Sequence, residues 1–343
     1  MGTKSASKSR YLFEICDNYT FRQTEYYATF DSSVYEEGTF RYCYKGQIKK
    51  NGKPSKPDLF PNENCLVKVF KDKNYDIKDF VKDLYNYYYS KNITSTFNSE
   101  YINFEPKMNY ITPYVSSLEK HASFNMLFFF PIRDSEQMEK IKDNEWITIE
   151  PFIDGPYKKY VNNICITDSN TDNAISFFMH WNWAYSKGES LICDIQGVKR
   201  KNYYELTDPA VQSIDSDFGN ADLGPCSLIL FLSSHKHNKY CKELPWPSDY
   251  EMDKINKIEE EIRTNYKKYK IFYGCKDYKD FYKEIIDSTF NNHSTNFYTF
   301  IIRFIGLVII LLLFYCLKKI CIKIKNKAKE KLNKYIELSE NIN

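Results

Sequence analysis

The chain is expected to fold as an α+β protein of two lobes followed by a single membrane-spanning helix. Three observations in the 343 residues lead there. The first 70 residues carry mostly short alternating apolar runs, and helical periodicity enters only later. Mixed strand-like and helix-like segments then continue to about residue 250, the order that gives α+β architecture. Finally, residues 304–317 hold no charge, and the uncharged run extends back to residue 297 across one arginine.

Within the first lobe, residues 1–20 read as a polar leader without the apolar core of a signal peptide. Met1-Gly2 is followed by Ala6 where an acylation signal needs Ser or Thr, so no acyl anchor is expected. Strand texture runs from residue 21 to 70 and ends in C-L-V-K-V-F, residues 65–70. Alternation there puts Leu66, Lys68 and Phe70 on one face and Val67 and Val69 on the other. A lysine inside an apolar strand costs free energy unless an anion meets it. The Asn51-Gly52-Lys53-Pro54 stretch reads as a turn. Residues 74–90 read as a helix, with Ile77, Phe80, Val81, Leu84 and Tyr87 at helical spacing.

Strands are predicted over 123–132 and 146–153, the second stopped by Asp154-Gly155-Pro156. The basic, aromatic stretch 157–163 is expected to open a helix. A helix over 172–187 and a strand over 191–198 follow. The lysine- and glutamate-rich stretch 251–296 reads as a charged helical linker, solvated or packed on the globule.

For residues 304–317, eleven Leu, Ile, Phe and Val residues favour insertion by roughly −3 to −7 kcal/mol, against at most about 3 for Arg303. A span over 297–317 has about the twenty residues a bilayer needs. The basic tail 318–343 would stay cytosolic by the positive-inside rule, in conflict with a cytosolic globule on the other side of one span. The absence of a leader argues for a cytosolic globule and a membrane-bound, single-pass chain. An interfacial helix or hairpin would reconcile the two.

Composition narrows the function classes. Net charge is +3, which gives no case for nucleic acid. Ten cysteines show no short-range framework spacing, so reduced thiols are expected.

Candidate chemistry concentrates between residues 180 and 241. Asp194 and Gln196 stand in D-I-Q-G, Asp208 in L-T-D-P, and Gly219 and Gly224 bracket G-N-A-D-L-G. Asp217-Phe218-Gly219 spells the D-F-G of conventional kinases, but no H-R-D-x-x-x-x-N string precedes it. Three of the five histidines, His180, His235 and His237, join Cys241 as four ligands of the kind a closed structural Zn²⁺ site uses. His237 and Cys241 are four residues apart, so one ion could meet both. With no H-E-x-x-H string and four protein ligands, a zinc hydrolase is disfavoured.

Taken in order over residues 25–246, these strings resemble the alpha-kinase family of atypical protein kinases. Gly38-Thr39-Phe40-Arg41 resembles its first-lobe G-x-x-R element, and Lys68 falls at its nucleotide lysine. Glu150 in E-P-F-I resembles the hinge glutamate beside adenine, and Lys159 lies in the matching K-Y-x-N-N element. The resemblance implies that Arg41, Lys68, Glu150, Lys159, Gly219 and Gly224 contact ATP. It implies Asp194 as the carboxylate facing the accepting hydroxyl, and Gln196 and Asp208 as Mg²⁺ ligands. The family carries H-x-C-N-x-x-C where this chain has His235 to Cys241, so His237 replaces a cysteine. The implied function is phosphate transfer from Mg-ATP to protein serine or threonine by a kinase domain over 21–250, tethered to a membrane. A catalytically weak pseudokinase scaffold is the alternative.

Overall fold

The computed structural model describes residues 6–9, 11–15, 21–31, 33–50, 64–72, 74, 77–120, 124–127, 130–133, 140–142, 144–168, 170–269 and 274–290. The turn at 51–54, His121, the span predicted at 297–317 and the basic tail lie outside them. Among the described residues, no helix is long and apolar enough to cross a membrane.

The first lobe is built on strands β1 (Ala6–Ser9), β2 (Phe13–Ile15), β3 (Phe21–Gln23), β4 (Tyr26–Asp31), β5 (Glu36–Glu37), β6 (Arg41–Lys50) and β7 (Asn64–Phe70). Helix α1 (Ile77–Glu100) and strands β8 (Lys107–Tyr110), β9 (Tyr114–Lys120), β10 (Phe124–Leu127), β11 (Phe130–Arg133) and β12 (Trp146–Pro151) follow. The main sheet runs β1-β4-β6-β7-β12-β9-β2-β3. Because β1 also pairs with β9, the ladder closes on itself, which removes exposed edges from its central strands. Inside lie Tyr26, Ala28, Phe30, Tyr44, Val67, Val69, Ile147 and Ile149. The opposite face of β7 carries Lys68, in line with the alternation expected for this strand.

Residues 6–9 and 13–15 were expected in a polar leader but form β1 and β2, with Leu12 fully buried between them. Backbone pairing holds them in place, β1 to β4 and β9, and β2 to β3 and β9. The strand expected over 123–132 is a hairpin of β10 and β11.

Helix α1 continues a further ten residues beyond its expected end. The apolar stripe does not stop at Ser90: Ile93 and Phe97 stay buried, and Phe97 meets Phe177, Phe178 and Trp181 ring to ring at 5.1–5.6 Å. Tertiary packing here overrides weak intrinsic propensity.

The second-lobe sheet takes in β8 from earlier in the chain and continues with β13 (Lys158–Lys159), where a helix was expected. Tyr160 and Val161 instead donate their amides to the Ile195 carbonyl, so the segment is held as an extension of a sheet. Helix α2 (Asn173–Tyr185) is capped by Asp172, whose carboxylate accepts from the Ala174 amide at 2.9 Å. It is buried from Ala174 to Trp183, a core helix rather than an amphipathic one.

Next come β14 (Ser190–Cys193), β15 (Gln196–Lys199), β16 (Tyr203–Thr207) and β17 (Ala210–Ser213). The single strand expected over 191–198 is thus broken at Asp194, whose φ of 52° is left-handed. The break lets β14 pair with β17 and β15 with β16. Gly197, at φ 147°, allows β15 to lie against β16; a Cβ there would overlap the Glu205 carbonyl and sit 2.9 Å from Leu206 Cα. Helix α3 (Pro225–Ser234) starts with proline in its first turn and is buried from Pro225 to Leu232. Helices α4 (Asp249–Tyr269) and α5 (Lys279–Phe290) pack Ile255, Ile262, Tyr282 and Ile285 inward. Of the two readings of this charged stretch, the described part fits packing on the globule.

Four cysteines expected as thiols are paired. Cys165 bonds Cys193 and Cys226 bonds Cys275, with Cα–Cα distances of 5.2 and 5.3 Å. Their separations of 28 and 49 residues carry no local spacing signal, and the partners meet only once the second lobe is assembled. Cys43, Cys65 and Cys241 are free and buried.

Candidate active site and metal centre

Strand register builds the first part of the site. Lys68 lies opposite Cys43 of β6 and Thr148 of β12, so Arg41, Lys68 and Glu150 share one face of three adjacent strands. Lys68 is 6% exposed and Glu150 is 1% exposed. The Lys68 ammonium donates to Glu150 Oε2 at 2.7 Å and to Asp208 Oδ2 at 2.5 Å. The anion that a strand lysine demands is therefore supplied twice.

Glu150 is not a free group at a cleft rim. Besides Lys68 it accepts from Thr207 Oγ1 at 2.5 Å and from the Tyr87 hydroxyl at 2.5 Å. Such a fully partnered buried carboxylate acts as the anchor of the lysine.

Asp208 sits in the turn between β16 and β17 with φ 49°. The helix start that the following proline suggested does not form there. One third of its side chain remains exposed. It meets Lys68, the Tyr87 hydroxyl at 2.6 Å and Arg41 Nη1 at 3.6 Å. Burial alone would raise its pKa, but Lys68 and Arg41 outweigh that and hold the carboxyl down at about 2. Arg41 is itself fixed by an ion pair with Asp83 of α1 and stacks over Phe70 at 5.0 Å.

The second part lies on β13 and β15. Asp194 is ion-paired with Lys159 at 2.6 Å and accepts from Gln196 Nε2 at 3.1 Å. Burial raises its pKa, and Lys159 only partly offsets this. Gln196 also approaches the Asp208 backbone carbonyl at 3.5 Å, so Asp194, Gln196 and Asp208 converge on one place. Lys159, expected among the nucleotide contacts, meets the carboxylate expected to face the acceptor.

Gly219 and Gly224 have φ of 88° and 68° and bound a tight turn. Asp222 between them closes it by accepting from the amides of Ser213, Phe218 and Gly224 and from the Ser213 hydroxyl. Asn86 of α1 reaches this region too, donating to the Phe218 carbonyl and accepting from the Val211 amide.

The metal-ligand cluster is assembled as the spacing implied. One ligand atom from each of His180, His235, His237 and Cys241 lies within 4.8 Å of the others. His180 Nε2 lies 3.0 Å from the Pro245 carbonyl and has a buried Nδ1 with no hydrogen-bond partner. His235 uses Nδ1 toward Ser176 Oγ and Nε2 toward Cys241 Sγ at 3.7 Å. The His180 and His235 rings are thus each oriented by an outer partner with one nitrogen left inward, the arrangement of metal-binding imidazoles. Burial lowers the pKa of His180 to about 4 and of His235 to about 3, keeping both in the neutral form a metal requires. The donor set fits a tetrahedral Zn²⁺ ion.

Three members of the first cluster were not singled out from sequence: Asp83, Tyr87 and Thr207. Asp83 and Tyr87 are four apart on α1 and so share a face, but that pattern reads equally as ordinary amphipathicity. Thr207 was passed over beside Asp208.

A buried lysine held by two carboxylates, beside a third carboxylate and an amide, is a set of groups suited to anionic phosphates and a divalent cation. The model of the alpha-kinase family matches residues 36–241, and the chain belongs to that family. Alpha-protein kinase vwkA of Dictyostelium discoideum is 38% identical over 117 residues, covering 34% of this chain and 19% of that protein. Human transient receptor potential cation channel subfamily M member 6 is 37% identical over 126 residues, covering 33% of this chain and 6% of the channel. The chain thus spans at most about a fifth of these relatives. Among solved structures, an alpha kinase from Entamoeba histolytica superposes with a TM-score of 0.54 at 21% identity, over 71% of this chain and 92% of that one. The alpha-kinase domain of myosin heavy chain kinase A in complex with ATP gives 0.51 at 19% identity, over 71% and 97%. These likenesses establish the fold.

Proposed function

We propose that this chain transfers the γ-phosphate of Mg-ATP to serine or threonine hydroxyls of a protein. The observation that carries the reading is the double engagement of Lys68 with Glu150 and Asp208, beside Asp194 and Gln196. Every charged side chain of the site has a partner of opposite sign without ligand, and loading it is an exchange. Nucleotide phosphates take Lys68 and Arg41 from Asp208. Released, Asp208 and the Gln196 amide oxygen would hold Mg²⁺, a hard cation that prefers few protein oxygens plus phosphate. Bound there, Mg²⁺ would neutralise charge on the transferring phosphoryl group. Glu150 keeps Lys68 in place throughout.

Asp194 would accept the proton of the attacking hydroxyl as its oxygen bonds the γ-phosphorus and the bond to the β-phosphate oxygen breaks. Its raised pKa suits a group that must gain a proton. Lys159 would hold it in place.

The reading extends to the rest of the chain. His180, His235, His237 and Cys241 would form a closed structural zinc site that holds the second lobe together. The kinase domain would run over 21–250, and a helix over 297–317 would tether it to a membrane with the domain in the cytosol. The uncharged run in the sequence supports the last point.

Radiolabelled transfer from Mg-ATP to a generic basic protein, with the full chain and its Asp194→Ala variant, tests the activity. Transfer by the wild type and at least a hundredfold less by the variant is expected. No transfer by folded wild type would favour a scaffold at a membrane.

A further inference from the structure

Tyr87 belongs to the loaded site, although no string in the sequence announces it. Its ring is 1% exposed on α1, and its hydroxyl lies 2.5 Å from Glu150 Oε1 and 2.6 Å from Asp208 Oδ1. Arg41 Nη1 approaches the same oxygen at 3.4 Å. A phenol has one proton, so it donates to one carboxylate at a time. A phenol is protonated at neutral pH, so the group stays a donor.

Donors are shared unevenly between the two acids. Glu150 retains Thr207 and Lys68 whatever happens in the cleft. Asp208 is held by Lys68 and Arg41, the two cations that phosphates would draw toward themselves. A neutral hydroxyl has no such pull toward phosphate. Building on the nucleotide-binding reading above, we propose that Tyr87 is a positioning residue: its hydroxyl orients the Asp208 carboxylate toward the divalent cation once Lys68 and Arg41 have turned to the nucleotide. Because Asp83 on the same helix face grips Arg41, α1 holds both the arginine and the aspartate. Loss of the hydroxyl matters little to the empty site, where Lys68 and Arg41 still hold Asp208, and most to the loaded one.

The test is Tyr87→Phe in the full chain, with Tyr89→Phe as its control. Tyr89 loses an equivalent hydroxyl, bonded to Ser190 Oγ at 2.5 Å, on the same helix away from the carboxylates. At saturating ATP, the Mg²⁺ concentration for half-maximal transfer is expected to rise about tenfold in Tyr87→Phe, as for a lost hydrogen bond to a charged group. At saturating Mg²⁺, its KM for ATP should stay within about twofold of wild type by the same argument, since Lys68 is untouched and Arg41 loses only a 3.4 Å contact while keeping its ion pair with Asp83. Tyr89→Phe should move neither quantity. A half-activating concentration unchanged in Tyr87→Phe, or raised equally in Tyr89→Phe, would overturn the assignment. Should the Phe variant not fold, Tyr87→His, too short to span both carboxylates, must show a rise of about threefold or more, or the proposal falls.

Binding separates this claim from the kinase reading. If wild type transfers no phosphate, calorimetric Mn²⁺ titration in the presence of ADP reads the same comparison. A weaker Mn²⁺ affinity in Tyr87→Phe alone would sustain the role of Tyr87 while the transferase reading fails. Equal affinities, or no Mn²⁺ binding by wild type, would end both.

Discussion

Replacing Glu150 by Gln separates two roles that predict different phenotypes. A glutamate beside adenine would affect nucleotide affinity and leave folding untouched. The geometry assigns it to the interior, 1% exposed, as acceptor for Lys68, Tyr87 and Thr207. Breaking a buried ion pair from one side costs roughly 3–5 kcal/mol, because the remaining charge loses its partner. Here Lys68 keeps Asp208 at 2.5 Å, and the amide oxygen of Gln can still accept one of the three donors. Both effects reduce the loss, so about 2–3 kcal/mol of stability is expected. Urea unfolding followed by far-UV circular dichroism gives the number from the shift in midpoint at unchanged m. Nucleotide affinity should fall as well, since Lys68 would turn further toward Asp208. A variant within about 0.5 kcal/mol of wild type, weakened only in ATP binding, would refute this placement.

Two further outcomes follow from the same geometry. Because burial raises the Asp194 pKa, the acid limb of kcat/KM should lie above the ordinary aspartate range, and Lys159→Met should move it higher by removing the cation that lowers it. Chelation of Zn²⁺ from the His180–Cys241 cluster should lower the thermal transition of the second lobe, and Cys241→Ser should do so without chelator. Unfolding transitions that ignore both treatments would contradict a structural ion.

Asp208 makes a contribution of definite sign to the pH dependence of stability. Its folded pKa is depressed to about 2, below the ordinary value of roughly 3.9. Its contribution is therefore complete above about pH 4 and lost as pH falls toward 2.

Residues whose chemistry conflicts with their surroundings were the most legible. Lys68 stands out because an ammonium inside an apolar strand requires a counter-ion, and the fold supplies two. Asp194, Gln196 and Asp208 were legible as an ordered set, and the His/Cys cluster because few residue types hold zinc. Illegible were the properties that arise only from assembly. Tyr87 has the periodicity of a core aromatic, and only the approach of β12 and the β16–β17 turn converts its hydroxyl into a shared donor. The left-handed φ of Asp194 breaks a strand that apolar patterning would have continued. Cys193 and Cys165 come together from 28 residues apart, a separation with no local signal.

The most direct measurement is ATP binding by calorimetry, with and without Mg²⁺, to wild type and Asp208→Asn. Lys68 and Asp208, 2.5 Å apart, must part before phosphate and metal can enter. Wild type should bind ATP at least tenfold more tightly with Mg²⁺ than without, by analogy with the strength of charge-assisted contacts. Asp208→Asn should lose most of that metal dependence and bind metal-free ATP more tightly than wild type does, because Lys68 is then held by Glu150 alone. Equal metal-free affinities in the two proteins, with the same gain from Mg²⁺, would contradict the exchange.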